Sequence, residues 1–324
     1  MEARLVERAN IPFKAIPAAG VHGVGLRQIP GSLAALSRGI RAAARIINEY
    51  QPDALFFTGG YVAVPVALAG RKIPSLLYVP DIEPGLALKT LAYFAKRIAV
   101  TAEESKQYFT ARSNIVVTGY PVRTEIANWS KPAAREHLNI RSGLPVVLVF
   151  GGSKGAHSIN MALFEHLTTL LEHVEVVHIS GELDWSLVED IRQSLSQKQA
   201  EHYHAYPYLH EDMGAALATA DLAISRSGAS SLGEFPQFGI PAILVPYPHA
   251  WRYQMVNANS LAGRGAALMI EDAKLKSGLY LTVEKLFETP EKLDAMRKAM
   301  LSLRVPNSAG KIADQLYEIA GDKS

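Results

Sequence analysis

Residues 221–248 read DLAISRSGASSLGEFPQFGIPAILVPYP, and this stretch decides the fold. An apolar run from Asp221 to Ile224 is followed by a loop of small residues, Ser225 to Ser230. A second apolar run covers Pro241 to Val245, and bounded apolar runs of this length are typical of buried parallel strands. A helix over residues 231–238 fits between them. The stretch therefore predicts a strand, a loop, a helix and a second strand.

The junction between this loop and its helix has the chemistry of an anion site. Small residues let a ligand approach the backbone, and free amides in a first helical turn attract negative charge. Glu234 falls in that turn, where its carboxylate could accept hydrogen bonds from paired sugar hydroxyls. Ser231 and Glu234 also have the spacing of a capping box, in which both residues serve only the helix. Spacing alone favours the capping box.

Composition limits the classes of protein to consider. The 324 residues are enough for two domains with separate cores, and 48% of them are hydrophobic. A formal net charge of +2 argues against a dedicated nucleic-acid binder. The absence of cysteine excludes disulfides, thiolate metal sites and cysteine nucleophiles. No uninterrupted apolar run has the length of a membrane span, so any membrane contact is predicted to be peripheral.

The first part of the chain alternates between strand and helix patterns. Asp53 to Phe57 and Ile73 to Val79 are predicted strands with helical segments around them, which indicates a parallel, doubly wound sheet. Gly31 to Tyr50 is predicted as an amphipathic helix with Arg38 and Arg41 on its polar side. These arginines could meet anionic lipid headgroups, or they could belong to an ordinary solvated helix. The pattern alone favours the solvated helix.

A second domain is predicted to follow residue 122, where the alternation breaks. Pro145 to Phe150 is an apolar strand that runs into Gly151-Gly152-Ser153-Lys154-Gly155-Ala156, a second arrangement able to cradle phosphate. This loop lacks the second half of a Walker motif and the dinucleotide spacing, so neither a P-loop NTPase nor a Rossmann dehydrogenase is favoured. His202 and His204 alternate on a predicted strand, where ordinary strand residues are favoured over metal ligands. Val283 to Leu303 is predicted as one amphipathic helix.

Several motifs, taken together, are far more specific than any one of them. They are Gly59-Gly60-Tyr61-Val62, Thr118-Gly119-Tyr120-Pro121-Val122-Arg123, Gly151 to Ala156, Ser225-Arg226-Ser227-Gly228-Ala229-Ser230, Gly239-Ile240-Pro241-Ala242, Val245-Pro246-Tyr247-Pro248-His249, and Gln254 with Asn257-Ala258. In combination they resemble the MurG-type N-acetylglucosaminyltransferases of glycosyltransferase family 28. The resemblance covers nearly the whole chain.

The resemblance implies a GT-B fold, in which two Rossmann-like, doubly wound parallel-sheet domains face each other across a cleft. It implies that residues 1–122, completed by a final helix at 308–324, form an acceptor- and membrane-facing domain, and that residues 123–307 bind the donor. By position, the substrate-binding residues would be Ser153 at the diphosphate, Ala229, Ser230, Ser231 and Leu232 at the phosphate end, Glu234 at the ribose, Gln254 at the sugar, Arg123 near the nucleotide at the hinge, and His210 against uracil through its backbone. With these matches, a ribose role for Glu234 is favoured over the capping box.

The activity that the resemblance implies is inverting transfer of N-acetylglucosamine from UDP-N-acetylglucosamine to undecaprenyl-linked muramyl-pentapeptide, which is lipid I to lipid II in peptidoglycan synthesis. Neither a cofactor nor a metal is implied, because helix-terminus amides would stabilise the leaving UDP. The implied location is the cytoplasmic face of the plasma membrane, with peripheral binding to an anionic surface. The residues in the corresponding membrane-facing region are Val24, Leu26, Leu33 and Leu36 with Arg27, Arg38 and Arg41.

Two departures from the family pattern leave alternatives open. The family opens with a strand and a glycine-rich loop that ends in a histidine, the expected base, whereas the first domain here is expected to be truncated at its N-terminus. We expect a start assigned downstream of the natural one, or a shortened chain. Tyr78-Val79-Pro80-Asp81 stands where the family has His-Glu-Gln-Asn, which makes Asp81 a weak candidate base, although a loop Asx turn is favoured. The alternatives are a catalytically impaired UDP-sugar-binding protein and a GT-B transferase with another acceptor.

Overall fold

The computed structural model describes residues 6, 10–18, 29–110, 114–152, 154–249 and 252–321. Two parallel sheets with helices around them make up this part of the chain. The predicted α/β class is therefore confirmed. We call the part that holds the four-stranded sheet the first domain and the part that holds the six-stranded sheet the second domain.

The first sheet has four strands in the order β1-β2-β3-β4, all parallel. Its strands are β1 (Leu55–Phe57), β2 (Ser75–Val79), β3 (Arg97–Val100) and β4 (Ile115–Val117). The helices of this part are α1 (Ile29–Tyr50), α2 (Ala63–Ala69) and α3 (Leu86–Ala92), with a 3₁₀ helix at Glu103–Tyr108. Each connection between consecutive strands crosses over through a helix, as parallel pairing requires.

Side chains of β2 alternate between two cores, one on each face of the first sheet. Leu77 and Val79 pack with residues of α2 and α3 on one face. Leu76 and Tyr78 point to the other face, where they pack with Ile312 of α15 (Ser308–Gly321). All five residues of β2 are buried, because helices cover both faces of a parallel sheet. The last helix of the chain therefore covers one face of the first sheet.

The second sheet has six parallel strands in the order β10-β9-β8-β5-β6-β7. Its strands are β5 (Val146–Phe150), β6 (Glu175–Ile179), β7 (Tyr203–Tyr206), β8 (Leu222–Ser225), β9 (Ala242–Leu244) and β10 (Ala267–Met269). The strand order reverses between β5 and β8, which are hydrogen-bonded neighbours. Connections from these two strands leave in opposite directions, so a crevice opens at their carboxyl ends. The two glycine-opened loops predicted to bind phosphate begin at these ends.

Helices cover both faces of the second sheet. They are α4 (Thr124–Ala127), α5 (Lys131–His137), α6 (His157–Phe164), α7 (Leu167–Leu170), α8 (Trp185–Ser194), α9 (Gln197–Glu201), α10 (Met213–Thr219), α11 (Ser231–Phe238), α12 (Tyr253–Gly263), α13 (Leu275–Phe287) and α14 (Pro290–Ser302), with 3₁₀ turns at Glu182–Asp184 and Asp272–Lys274. The prediction of one helix from Val283 to Leu303 is wrong. Pro290 begins α14, because its ring cannot continue a helix from the preceding turn.

Helix α12 and the residues that flank it make polar contacts with the first domain. Asn257 on this helix donates to Asp81 Oδ1 at 2.8 Å, and its own Oδ1 accepts from the backbone of Ile82 at 3.1 Å. Arg252, just before the helix, makes two hydrogen bonds to the carboxylate of Glu83, at 2.5 and 2.8 Å. These contacts hold the loop after β2 against the second domain. Among the helices described here, none is both long and apolar enough to cross a bilayer.

Candidate active site

A cavity of about 1010 Å³ opens at the carboxyl ends of β5 and β8. Both glycine-opened loops line it, as does the turn that precedes α12. The lining residues used below are Gly152, Lys154, His157, Asp184, Arg226, Gly228, Ser230, Tyr247, Gln254 and Asp272. The position matches the general location of ligands in open parallel sheets.

The loop after β5 is shaped by close backbone contact with the loop after β6. The backbones of Gly155 and Gly181 contact each other, and the two residues have φ angles of +77° and +83°. A Cβ on Gly181 would lie 2.6 Å from the Cα of Gly155, so no larger residue fits there without a backbone shift. This contact brings the 3₁₀ turn at Glu182–Asp184 next to the start of α6. Ser153, the predicted diphosphate ligand in this loop, lies outside the described residues.

The loop after β8 makes a tight entry into α11. Ser230 is the N-cap residue, and the hydroxyl of Ser231 donates to the carbonyl of Gly228 at 2.6 Å. The capping box between Ser231 and Glu234 is therefore not formed. The backbone amides of residues 231–234 already donate to carbonyls of residues 228–230. The expected free amides of the first turn are thus occupied, and a phosphate would instead meet the amides of Gly228 to Ser230, for which the described residues provide no backbone partner.

Glu234 is half-buried in the first turn of α11, near the hinge between the domains. Burial raises the pKa of this carboxyl, although a hydrogen bond with Ser230 and the charge of Arg123 oppose the shift. Arg123 itself is exposed and precedes α4. A carboxylate between a backbone turn and one arginine can accept hydrogen bonds from vicinal hydroxyls. These two predicted ligands lie close enough for their charges to interact, and their contacts with a nucleotide stay predictions.

Gln254 lines the cavity, and one end of its side chain already makes a hydrogen bond. Its Oε1 accepts from the backbone of Tyr247 at 2.9 Å, and its backbone carbonyl accepts from the hydroxyl of Ser227 at 2.7 Å. The same side chain carries an Nε2 amide that can donate to a ligand in the cavity. Gln254 therefore joins the loop after β8 to the turn before α12, and its predicted contact with the sugar stays a prediction.

The other predicted ligands lie at different parts of the cleft. Ala229 is half-buried in the loop after β8, while the side chain of Leu232 is 9% exposed and lines a separate cavity of about 320 Å³ at the hinge. His210 is exposed in the loop after β7, with its ring centroid 4.4 Å from that of Tyr208. The side chain of Leu232 lies in a buried hydrophobic cluster, and its backbone amide donates to the carbonyl of Ala229.

Asp81 reaches from the first domain to helix α12. Burial raises its pKa, and the hydrogen bond from Asn257 opposes this shift. The favoured Asx turn is not among the hydrogen bonds of the described residues, since Oδ1 is engaged across the interface. Asn257 also donates to the carbonyl of Ser227 at 3.1 Å. One side chain therefore links the loop after β2 with the loop after β8.

Sequence reasoning missed a histidine and a carboxylate that line the cavity. His157 Nδ1 lies 2.9 Å from Asp184 Oδ1, although the two residues are 27 positions apart. Nearby, Arg226 donates to the carboxylate of Asp272 and lies over the ring of Tyr247, 5.2 Å from its centroid. The signal for Arg226 was present in the motif that contains it. The His157 pair gave no sequence signal, because it depends on the contact between two loops.

Two further groups predicted from the sequence can be located. His202 contacts the carbonyl of Leu171 and His204 contacts the carboxylate of Glu175, so the two rings have separate partners. Within the described ranges, no three potential ligand side chains are grouped closely enough to hold a metal ion. In the proposed membrane face, Arg38 and Arg41 are exposed on α1 and Leu36 is half-buried. Val24, Leu26 and Arg27 lie outside the described residues, as does the side chain of Leu33.

Comparison with known proteins identifies relatives that match nearly the whole chain. Residues 1–100 match the glycosyltransferase family 28 N-terminal domain, and residues 146–316 match the C-terminal domain of the same family. A UDP-N-acetylglucosamine--N-acetylmuramyl-(pentapeptide) pyrophosphoryl-undecaprenol N-acetylglucosamine transferase of Roseiflexus sp. (strain RS-1) is 38% identical over 97% of this chain and 80% of its own length. The protein of the same name from Desulforudis audaxviator (strain MP104C) is 39% identical over 99% of this chain and 88% of its own length.

A solved structure gives the same result. The crystal structure of Acinetobacter baumannii MurG superimposes with a TM-score of 0.74 and 25% identity, over 98% of this chain and 88% of that one. The fold and the cavity therefore define a glycosyltransferase of GT-B architecture. The chain belongs to glycosyltransferase family 28, which confirms the resemblance drawn from its motifs.

Proposed function

We propose that this chain is a hexosyltransferase that moves N-acetylglucosamine from UDP-N-acetylglucosamine to undecaprenyl-diphosphate-linked muramyl-pentapeptide, converting lipid I to lipid II in peptidoglycan synthesis. The observation that carries the proposal is the identity of 38–39% with transferases named for this reaction, over 97–99% of the chain. The cavity at the carboxyl ends of β5 and β8 supports the same conclusion, since nucleotide ligands bind at such switch points.

We assign the donor to the second domain and the acceptor to the first. The domain boundary is placed between residues 122 and 123, and residues 308–324 are assigned to the first domain. Support for this division comes from α15, whose Ile312 packs with Leu76 and Tyr78 of the first sheet. Support also comes from the start of α4 at Thr124, directly after the proposed boundary.

Donor binding divides into three contacts in this proposal. Glu234 accepts from the ribose hydroxyls beside Arg123, and the uracil lies against the backbone at His210. The diphosphate lies between the loop at Ser153 and the amides of residues 228–230, so Ala229 and Ser230 serve through their backbone amides. Ser231 and Leu232, whose amides donate to the carbonyls of Gly228 and Ala229, complete the turn that presents these amides. Gln254 donates Nε2 to a hydroxyl of the transferred sugar. Support for this last role is that its Oε1 is already held by Tyr247.

The reaction proposed is a direct displacement at the anomeric carbon. The muramyl C4 hydroxyl loses its proton to a base, its oxygen bonds to the anomeric carbon from the face opposite the diphosphate, and the bond to the β-phosphate oxygen breaks with inversion. The electron pair stays on UDP, where hydrogen-bond donors aimed at the diphosphate stabilise it. Asp81 is the weak candidate for the base, and burial, which raises its pKa, makes its carboxylate a stronger proton acceptor.

Peripheral attachment to the cytoplasmic face of the plasma membrane completes the proposal. Its support is the exposure of Arg38 and Arg41 on the same helix as the half-buried Leu36. Exposed basic side chains attract anionic headgroups, at roughly 1 kcal/mol for each residue near the surface. Replacing both arginines with alanine is expected to reduce sedimentation with anionic vesicles. Unchanged sedimentation would contradict the assignment of this face.

The donor is tested by titrating the chain calorimetrically with UDP-N-acetylglucosamine and with UDP-glucose. We expect preference for the N-acetyl sugar, and a loss of affinity of roughly 10- to 100-fold in Glu234→Ala, because two hydroxyls lose a charged acceptor. Glu291→Ala is the matched control, since Glu291 is also in the first turn of a helix but is exposed on α14. Absence of binding in folded protein would contradict the proposed donor.

A further inference from the structure

We propose that the imidazole of His157 donates a hydrogen bond from Nε2 to the diphosphate of the bound nucleotide sugar, and that Asp184 is the residue that positions this ring. The inference rests on the proposed function and adds two residues to the donor site. It concerns residues that lie outside the motifs by which the family was recognised.

The first observation is the position of His157. It is the first residue of α6, directly after the glycine-rich loop, and its side chain is 69% exposed to the cavity that Gly152 and Gly228 also line. Its Nδ1 lies 2.9 Å from Asp184 Oδ1. Because this contact occupies Nδ1, Nε2 is the ring nitrogen available to a ligand. A carboxylate at Nδ1 fixes both the orientation and the tautomer of an imidazole.

The second observation is a chain of buried hydrogen bonds that fixes Asp184. The hydroxyl of Tyr203 lies 2.7 Å from His178 Nδ1, and His178 Nε2 lies 3.0 Å from Asn160 Oδ1. Asn160 in turn donates from Nδ2 to Asp184 Oδ2 at 2.7 Å. Burial lowers the pKa of His178 to about 3, so its ring is neutral and has one N–H. The chain therefore has a single direction, from Tyr203 to the carboxylate.

That direction leaves Asp184 with acceptor capacity for one more donor, which is His157 Nδ1–H. Asp184 is 8% exposed, and His178 and Asn160 are fully buried. A buried network whose donors all have acceptors holds its members in one arrangement, and Asn160 Nδ2 also donates to the carbonyl of Ser180 at 2.9 Å. His157 is therefore an exposed ring on a rigid support.

The third observation is the pair of basic side chains at the cavity, which favours an anionic ligand although the carboxylates of Asp184 and Asp272 also line the cavity. Lys154 and Arg226 line the same cavity. Arg226 donates a hydrogen bond to the carboxylate of Asp272, as His157 does to the carboxylate of Asp184. The amino-terminal end of α6 adds partial positive charge. A neutral sugar would need no such grouping of donors. A diphosphate carries at least two negative charges and matches it.

The test uses two substitutions that separate the nitrogens of the ring. In His157→Asn the amide replaces Nδ1, so the bond to Asp184 survives and the donor toward the cavity is lost. In His157→Gln the amide can reach the position of Nε2 and keeps that donor. Affinities of the full chain for UDP and for uridine are measured by calorimetry and competition. We expect UDP binding to weaken about tenfold in His157→Asn and about threefold in His157→Gln, with uridine binding unchanged.

The positioning role of Asp184 is tested with Asp184→Asn, alone and combined with His157→Asn. If Asp184 acts through His157, it weakens UDP binding in the wild-type background and has no further effect in the double variant. Equal losses in both backgrounds would overturn the positioning role. Wild-type UDP affinity in the His157→Asn variant, or parallel losses for UDP and uridine, would overturn the inference. Failure of the unmodified, folded chain to bind UDP would contradict the proposed function as well.

Discussion

The loops at the carboxyl ends of the two sheets differ in charge. In the second domain, Lys154, His157 and Arg226 line one cavity together with the carboxylates of Asp184 and Asp272, which pair with His157 and Arg226. In the first domain, the loop after β2 presents the carboxylates of Asp81 and Glu83 to helix α12. In both domains these loops follow strands of a parallel α/β sheet. The fold therefore determines where a ligand can bind, and the loop residues determine which charges the ligand meets.

The comparison also concerns backbone shape. In the second domain Gly155 and Gly181 have positive φ angles and are pressed together, whereas Gly60 of the first domain has a φ of +78° with open space around it. The same conformation is thus enforced by packing in one domain and not in the other. Four expected results, given below, test this contrast between the two domains.

The largest effect is expected for Gly181→Ala. A Cβ there would lie 2.6 Å from Gly155 Cα, in a residue with φ of +83°, so both strain and a backbone clash arise. We expect a loss of roughly 3 kcal/mol in the unfolding free energy, and weaker UDP binding because the loop after β5 must move. Gly60→Ala is the control, with strain alone and a loss of about 1 kcal/mol. Equal losses of unfolding free energy in urea for the two variants would show that the backbone contact at Gly181 adds nothing to the cost of strain.

Acid is expected to destabilise the second domain before the first. His178 has a pKa of about 3 in the folded protein and about 6.5 when exposed, so only the unfolded chain binds its proton between these values. Stability therefore falls as pH drops below 6.5, by about 2 kcal/mol at pH 5. All histidines except His22 lie beyond residue 122. When the thermal unfolding of His178→Gln is followed from pH 7 to pH 5, the variant should not show this loss of stability. The same dependence of stability on pH as in the wild-type protein would contradict the prediction.

The interface is expected to respond to Asn257→Ala. This change removes the bonds to Asp81 and Ile82 of the first domain and to the carbonyl of Ser227. We expect kcat/KM to fall about tenfold because buried polar groups lose their partners. Asn259→Ala is the control, since Asn259 is exposed on the same helix. Equal kinetics for the two variants would mean that this contact does not couple the domains during catalysis.

The smallest effect is expected at the exposed edge of the interface. Arg264 pairs with Glu104, and their side chains are 42% and 32% exposed. A double-mutant cycle with alanine at both positions should give a coupling of about 0.5 kcal/mol that shrinks in high salt. A coupling above about 2 kcal/mol would place this pair with the buried contacts of Asn257 instead.

Much of the fold followed from local patterns. The strand predicted from Pro145 to Phe150 is β5, and the stretch that begins at Asp221 forms β8, α11 and β9 as predicted. Both features depend on runs of buried residues and on small residues at turns, which are visible in sequence. The break at Pro290 was missed, because the amphipathic pattern continues across it in two separate helices.

The site was predictable only where a motif contained its residues. Glu234 and Gln254 belong to such motifs. Gln254 lines the cavity and Glu234 lies in the first turn of α11, and the roles proposed for both stay predictions. The pairing of His157 with Asp184 depends on two loops meeting at Gly155 and Gly181, and spacing along the chain says nothing about such a meeting. The capping box was overestimated because Ser230, and not Ser231, is the N-cap residue, and the amide of Glu234 donates to the carbonyl of Ser230.

The position of α15 has a consequence for how the protein is made. This helix covers one face of the first sheet, yet its residues follow the whole second domain in the sequence. During translation, Leu76 and Tyr78 therefore stay without their cover until the ribosome has made nearly every other element. A chaperone that binds nascent chains would find an apolar surface there for most of synthesis. Isolated production of the first domain would require α15 to be joined to it.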